Sequence, residues 1–295
     1  MTGWIDRLLL GPARRRRRTE RRLRELDRQY AVWAQGGTSD RRQRGRRVDR
    51  TTWVSLTVTV AACVGMVVAV PSLLPGPLRD LVGLGPERLA ERPAASGSGT
   101  FAFLGHQPGD RSAPVAYDPC RPIRVRINPQ GAPEGGPALV RSAMVEVGEA
   151  TGLVLQYDGT STKRPEWESA HVPTFLGRVQ AGPVLVAWAD EDEVPQVAGD
   201  VAGIGGSVAV TETDGVVRYV TGGVTLDADD FEEIARRSDG EAEMRAIVLH
   251  ELGHLVGLAH VEDPGELMNG DNIGLHDFGT GDRLGLAALG AGSCG

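Results

Sequence analysis

Apolar and polar residues divide this chain into stretches with different patterns. Trp53–Val70 (WVSLTVTVAACVGMVVAV) is an eighteen-residue run without a charged side chain, and Leu73 and Leu74 extend it. A helix rises about 1.5 Å per residue, so this run would span about 27 Å, close to the ~30 Å hydrocarbon core of a bilayer. The pattern predicts one transmembrane helix, a signal anchor, at residues 53–74. A buried core helix and a cleaved signal peptide are the alternatives.

A second pattern begins near Phe101, where short apolar runs alternate with helical spacing. Strands are predicted at Ile123–Asn128, Leu153–Tyr157, Val184–Trp188, Ser207–Val210 and Val216–Leu226, and helices at Gly136–Ala150 and Glu241–Leu258, with a short helix at the C-terminal end. This order of elements predicts an α+β domain at residues 101–295, with a cleft beside the Glu241–Leu258 helix.

Residues 250–260 read HELGHLVGLAH, an uninterrupted H-E-x-x-H-x-x-G-x-x-H. Four residues turn a helix by about 400°, so His250 and His254 stand on one face and can bind one metal ion. Gly257 can take the left-handed conformation that ends helices, which brings His260 back as a third nitrogen ligand. Three protein ligands leave the fourth zinc position open for water, as in catalytic sites. The alternative is a chance pattern in a helix whose histidines are only packed.

Glu251 is the candidate catalytic residue. It lies about 100° around the helix from His250, and therefore beside the metal. From there its carboxylate can take a proton from the zinc-activated water and pass it to the leaving amine, which is the role of a general base.

These residues resemble the signature of the metzincin clan of zinc endopeptidases. The downstream Glu266–Asn269 segment resembles their Met-turn, which implies that Met268 lies beneath the three histidines. Arg124–Asn128 as a first strand and Thr280–Leu289 as a closing helix are similar to the matrixin-like, peptidase M10-type branch. The resemblance implies a zincin domain with a mixed twisted sheet and an active-site helix.

The same resemblance assigns a role to the strand after the glycine-rich stretch at residues 201–207. In matrixin-like enzymes the comparable strand borders the cleft, and an extended peptide pairs with it. Ser207, Val208, Ala209 and Val210 would offer that edge here, a strand-addition mode of binding. A flexible surface loop is the alternative.

Two acidic groups offer oxygen ligands of the kind that calcium prefers, Asp190–Glu193 and Asp227–Asp230. Neither group has the spacing of an EF-hand loop. Calcium is therefore a cofactor that the sequence permits and no motif indicates, and solvated surface charge is the alternative.

Charge is distributed unevenly along the chain. Residues 1–52 hold sixteen of the 32 Lys and Arg residues and six of the 39 Asp and Glu residues. The positive-inside rule then places this basic segment in the cytoplasm and the domain outside, as a single-pass cell membrane protein. Contact with anionic lipid is the favoured role of the segment, a role in setting the topology alone is the main alternative, and nucleic-acid binding is not favoured. Residues 75–100 are rich in Pro, Gly and Ser and are predicted to be a linker.

Three cysteines occur in the chain, and two of them follow the predicted membrane helix. Cys63 lies within that helix and is interpreted as a small apolar residue. Cys120 and Cys294 are predicted to form a disulfide in an oxidising compartment, with two free thiols as the alternative.

Together these patterns predict a zinc-dependent endopeptidase that hydrolyses peptide bonds in extracytoplasmic proteins. His250, His254 and His260 would bind Zn²⁺, and Glu251 would activate the water. The partner expected is a protein or peptide substrate. Two alternatives stay open: a surface module that binds zinc without turnover, and a zinc hydrolase that acts on cell-wall peptides.

Overall fold

The computed structural model describes residues 87–167, 174–175, 178–179, 181–213, 215–271 and 274–295. The basic segment at residues 1–52 and the predicted membrane helix at residues 53–74 lie outside the described residues.

The described residues contain no helix that is long and apolar enough to cross a membrane. Their longest helix, Gly240–Val256, has 17 residues and carries Glu241, Glu243, Arg245 and Glu251, whereas a membrane-spanning helix needs about 20 predominantly apolar residues. For the described residues, the fold class is therefore corrected to an α+β domain in which no helix spans a membrane. The prediction of a single-pass membrane localisation is corrected with it.

The domain contains short strands, four α-helices and one short 3₁₀ helix (Pro195–Val197) within the described ranges. The strands are β1 (Ala102–Phe103), β2 (His106–Gln107), β3 (Asp110–Pro114), β4 (Ala116–Tyr117), β5 (Ile123–Asn128), β6 (Leu155–Thr160), β7 (Thr174–Phe175), β8 (Arg178–Val179), β9 (Val184–Ala189), β10 (Gly203–Thr211), β11 (Val217–Asp227) and β12 (Leu258–Ala259). The helices are α1 (Gly136–Thr151), α2 (Ala228–Ile234), α3 (Gly240–Val256) and α4 (Thr280–Leu289).

The central sheet is mixed, and its strands follow the order β10–β11–β9–β5–β6. Strands β10 and β11 are antiparallel, whereas β11, β9, β5 and β6 pair in parallel. Strand β4 pairs with β11 off this path. The order leaves β10 at one edge of the sheet, where one side of its backbone has no strand beside it.

One face of the sheet is covered by α1 and α3. Strand β5 shows why: Ile123, Val125 and Ile127 are buried, and Arg124 and Arg126 between them are exposed. Its period of two places every apolar side chain on the helical face. Helix α1 buries a stripe at helical spacing that consists of Val140, Ala143, Met144 and Val147. Helix α3 packs against α1 and β10, so the predicted motif helix lies across the edge strand.

Residues 87–100, part of the predicted linker, lie along the domain. The Arg88 guanidinium donates to the carbonyl oxygens of Gly290 (2.7 Å) and Gly292 (3.1 Å). The Leu89 amide donates to the carbonyl of Pro119 at 3.1 Å. Small residues suit this path because the backbones approach closely: a Cβ atom on Gly99 would lie 2.2 Å from the Gly281 nitrogen.

Cys120 and Cys294 form a disulfide that closes a sequence separation of 174 residues, with 5.4 Å between their Cα atoms. It ties the segment after α4 to the segment before β5. The Asp118 carboxylate accepts hydrogen bonds from the Cys120 amide (2.9 Å) and the Gly295 amide (3.4 Å), so both ends of the bridge are also held by hydrogen bonds.

We expect the double variant Cys120→Ser/Cys294→Ser to have a free energy of unfolding lower by up to about 5 kcal/mol, because the unfolded chain regains the entropy of a long open loop. Chemical denaturation of both proteins measures the difference. The parent chain treated with a thiol reductant should unfold at the same denaturant concentration as the variant. Equal midpoints for the oxidised parent and the variant would show that the bridge does not stabilise the domain.

Candidate metal centre

The structure brings the three predicted ligand histidines together. His250 and His254 lie one turn apart on α3, with 4.8 Å between their ring centroids. Helix α3 ends at Val256 and is followed by Gly257, whose φ of 125° is strained for residues with a side chain. A Cβ atom there would also lie 2.9 Å from a methyl group of Leu289. The chain then reverses through β12 to His260.

The Nε2 atoms of the three imidazoles converge on one point. The Nε2 of His260 lies 2.9 Å from that of His250 and 3.0 Å from that of His254. His254 is 2 % exposed, and His250 and His260 are half-buried. One face of the group is therefore enclosed by protein.

Hydrogen bonds from the opposite ring nitrogens fix the tautomers of two histidines. His250 Nδ1 donates to the Leu267 carbonyl at 2.8 Å, and His254 Nδ1 donates to the Leu258 carbonyl at 2.8 Å. Since a carbonyl oxygen only accepts, each Nδ1 carries the proton, and each Nε2 presents a lone pair. Burial, followed by the neighbouring His260 and His250, holds the pKa of His254 well below its usual range. The imidazole is thus neutral at pH 7, as a metal ligand must be.

This donor set fits zinc. Three neutral imidazole nitrogens are a known ligand set of catalytic zinc sites, and the carbonyls on the Nδ1 atoms are the outer partners that orient such ligands. A second cluster of potential ligands, Asp118 with Cys120 and Cys294, has its sulfur atoms in the disulfide. Within the described ranges, the acidic residues 190–193 and 227–230 form no comparable metal-binding cluster.

Glu251 lies between α3 and β10 and is 6 % exposed. Its side chain fits there because Gly203 has none: a Cβ atom on Gly203 would lie 2.9 Å from Glu251 Cγ. A Cβ atom on Gly205 would lie 2.1 Å from the Glu251 carbonyl oxygen, so this second glycine lets the backbone of α3 approach β10. Burial raises the pKa of Glu251 to about 8. Its Oε2 atom has no hydrogen-bond partner among the described residues, so it is available to a group in the site. A cation at the histidines would favour the ionised carboxylate.

Met268, which the Met-turn resemblance places beneath the three histidines, packs against the ligand helix at Gly253. It is 1 % exposed, and a Cβ atom on Gly253 would lie 2.7 Å from its sulfur. Gly253 stands between the two helical histidines, so its missing side chain leaves room for the methionine. The Met268 carbonyl accepts a hydrogen bond from the Val261 amide at 3.0 Å, which joins this turn to the residue after His260.

Two buried acids that sequence reasoning missed hold the methionine turn against α4. The Asp282 carboxylate accepts from the amides of Leu267 (2.6 Å) and Gly279 (3.0 Å). The Glu266 carboxylate accepts from the amides of Gly281 (2.8 Å) and Asp282 (2.9 Å). Burial raises the pKa of Asp282, and the charge of Glu266 adds to the effect. Acidic residues at a helix start are the available signal, since the first amides of a helix lack partners.

We expect Asp282→Ala to lower the free energy of unfolding by about 2–4 kcal/mol, because it leaves the buried Leu267 amide and the half-buried Gly279 amide without their acceptor, at about 1–3 kcal/mol each. Thermal or chemical denaturation measures the loss. Asp277→Ala, at an exposed position of the loop that precedes α4, is the matched control and should change stability by less than about 1 kcal/mol. Equal effects of the two substitutions would contradict the structural role of Asp282.

The predicted substrate edge lies on β10 but not beside Glu251. Ser207 is buried and donates from its hydroxyl to the Leu255 carbonyl at 2.6 Å, and it accepts from the Tyr117 hydroxyl at 2.6 Å. Val208, Ala209 and Val210 are buried as well. The β10 residues that contact Glu251 are Gly203 and Gly205, which lie a few residues earlier in the strand.

Comparison with known proteins places this geometry in context. Residues 183–273 match the family model of the matrixins, peptidase M10. No curated protein sequence matches the chain. A chain of the solved structure described as the "GM1 bound form of the ECX AB5 holotoxin" is similar at 13% sequence identity and a TM-score of 0.33, over 59% of this chain and 81% of that one. A likeness this low supports no argument about function.

The family match includes the three histidines, Glu251 and Met268. Within it lie α3, the reversal after Gly257 and the methionine turn, which are the parts that build the metal centre. The match supports a matrixin-like domain of the metallopeptidase type in this chain.

Proposed function

We propose that this chain is a zinc-dependent endopeptidase whose domain spans residues 101–295. The observation that carries the proposal is the convergence of three imidazole Nε2 atoms, together with the buried carboxylate of Glu251 on the same helix, whose Oε2 has no hydrogen-bond partner among the described residues. The family match at residues 183–273 supports the peptidase class.

His250, His254 and His260 would hold the zinc ion. When bound, zinc would supply Lewis-acid chemistry, which polarises a peptide carbonyl and lowers the pKa of water. Glu251 supplies the proton transfers: its carboxylate takes a proton from the attacking water and returns it to the amine nitrogen that leaves. Its low exposure keeps bulk water from competing for that proton.

Strand β10 supports the binding of an extended peptide. It is an edge strand of the sheet, and its Gly203–Gly205 segment lies against Glu251. A peptide that pairs with this edge would bring a backbone carbonyl toward the histidines, with main-chain hydrogen bonds as the source of affinity. The absence of side chains at Gly203 and Gly205 lets α3 and Glu251 lie directly against this part of the strand.

The proposal is tested by incubating the full chain with a library of unmodified peptides and, in parallel, with cell-wall peptide fragments. We expect the zinc-loaded protein to cleave internal bonds of the unmodified peptides, and we expect chelation to abolish cleavage and added zinc to restore it. Mass spectrometry of the products identifies the bonds. Cleavage of wall fragments alone would favour a cell-wall hydrolase, and bound zinc without any turnover would favour a binding module.

A further inference from the structure

The segment that carries His260 is bordered by residues from the start of the domain. Residues 100–105, called the N-terminal strap below, run antiparallel to residues 257–263. Ala102 pairs with Ala259 and Phe103 with Leu258. The Leu104 amide donates to the Gly257 carbonyl at 2.9 Å. At the other end of the strap, the Thr100 hydroxyl donates to the Asp263 carboxylate at 3.2 Å.

His260 needs such support because it lies beyond the end of α3. Helix α3 ends at Val256, so helical hydrogen bonds fix His250 and His254 but not the third ligand. On one side the segment is held by the Val261 amide, which donates to the Met268 carbonyl at 3.0 Å. The strap holds the other side.

The strap also reaches a second ligand through the backbone. The Leu258 carbonyl accepts the hydrogen bond from His254 Nδ1 at 2.8 Å, and Leu258 is the residue that pairs with Phe103. Displacement of Leu258 would therefore disturb the orientation of His254 as well as the path to His260.

The strap is itself anchored in the domain. The Gly105 carbonyl accepts from the Val115 amide at 2.9 Å. Leu104 packs against the apolar cluster that includes Val201 and Ile204, next to β10. The rings of Phe101 and Phe103 lie 5.4 Å apart, and a Cβ atom on Gly285 of α4 would lie 3.0 Å from Phe101 Cβ. The strap therefore occupies a fixed position between α4 and β10.

From these contacts we infer that the N-terminal strap is a positioning element of the metal centre, which sets the place of His260 and steadies the orientation of His254. This part of the chain precedes the family match at residues 183–273. The inference rests on the proposed zinc site, but it does not depend on peptide hydrolysis. Its key group is the Leu104 amide, which closes the strand pair next to Gly257.

Zinc affinity of the full chain tests the inference, measured by competition with a chelating indicator. Leu104→Pro removes the amide that donates to Gly257. We expect it to weaken zinc binding by about 10-fold to 100-fold, the range found when outer partners of metal ligands are lost. The control Arg111→Pro, in the exposed strand β3, should change affinity by less than about twofold. If Leu104→Pro does not unfold cooperatively, Phe103→Ala replaces it, with an expected loss of about twofold to fivefold.

A double-mutant cycle separates positioning from general destabilisation. Combined with His250→Ala, the strap substitution should weaken zinc binding about as much as in the parent. Combined with His260→Ala, most of that loss should disappear, because the ligand that the strap positions is gone. Equal losses in both backgrounds, or no loss in the parent, would overturn the inference alone. A parent chain that binds no zinc would overturn both the inference and the proposed function.

Discussion

Glu251→Gln should retain zinc and lose about 10²–10⁴-fold in the rate of peptide cleavage, the range for removal of a general base. Glutamine has nearly the same shape as glutamate, so it fits the same space. That space exists because Gly203 has no side chain: a Cβ atom there would lie 2.9 Å from Glu251 Cγ. It cannot accept the proton from the attacking water. The expected result is a fall in kcat with little change in KM, measured on one peptide from the library with zinc content determined on the same samples.

Glu241→Gln is the matched control for this prediction. Glu241 is an exposed residue in the first turn of the same helix, far along it from the histidines. Its substitution should leave turnover within about twofold of the parent. If Glu251→Gln cleaves peptides at the parent's rate, Glu251 is not the general base, whatever its position.

His254→Ala should have the largest effect on the metal centre itself. A structural zinc site with four ligands binds with about 10–16 kcal/mol, which is about 3 kcal/mol per ligand, so the loss of one ligand corresponds to roughly 10²-fold or more in affinity. The substitution also leaves the Leu258 carbonyl without its donor. Competition titrations measure the affinity, and cleavage should disappear at zinc concentrations that saturate the parent.

The control for His254→Ala is His276→Ala. His276 is exposed, and its described contact is made by its backbone carbonyl, which accepts from Arg245. Zinc affinity should be unchanged in this variant. A His254→Ala protein with the parent's affinity would show that the ion is bound elsewhere.

The residues that the sequence predicted are those whose positions follow from local geometry. His250 and His254 share a face because four residues complete about one helical turn. Gly257 ends the helix because it is a glycine with a positive φ. Strand β5 follows from its alternating pattern and begins and ends at the predicted residues.

The parts that the sequence did not predict depend on contacts between distant residues. Asp282 holds the Leu267 amide, fifteen residues away, and a backbone amide has no sequence signal. Gly203 and Gly205 matter because they lack side chains, and hydropathy patterns do not register that. The pairing of Phe103 with Leu258 joins two-residue strands, which are too short for any alternation to appear.

The transmembrane helix was predicted from a different kind of signal. It came from the hydropathy of residues 53–74 alone, and length and apolarity are all that such a run offers. The described helices satisfy neither condition, since even Gly240–Val256 carries charged residues along its length. The site and the sheet do not depend on that prediction.

The most direct test of the account is X-ray absorption at the zinc K edge on the purified, zinc-loaded full chain. We expect one zinc per chain with three imidazole nitrogens at about 2.0–2.1 Å and a water oxygen as the fourth ligand. The His254→Ala variant should lose this spectrum. Sulfur ligands at about 2.3 Å, four imidazoles, or no stoichiometric zinc would contradict the three-histidine centre.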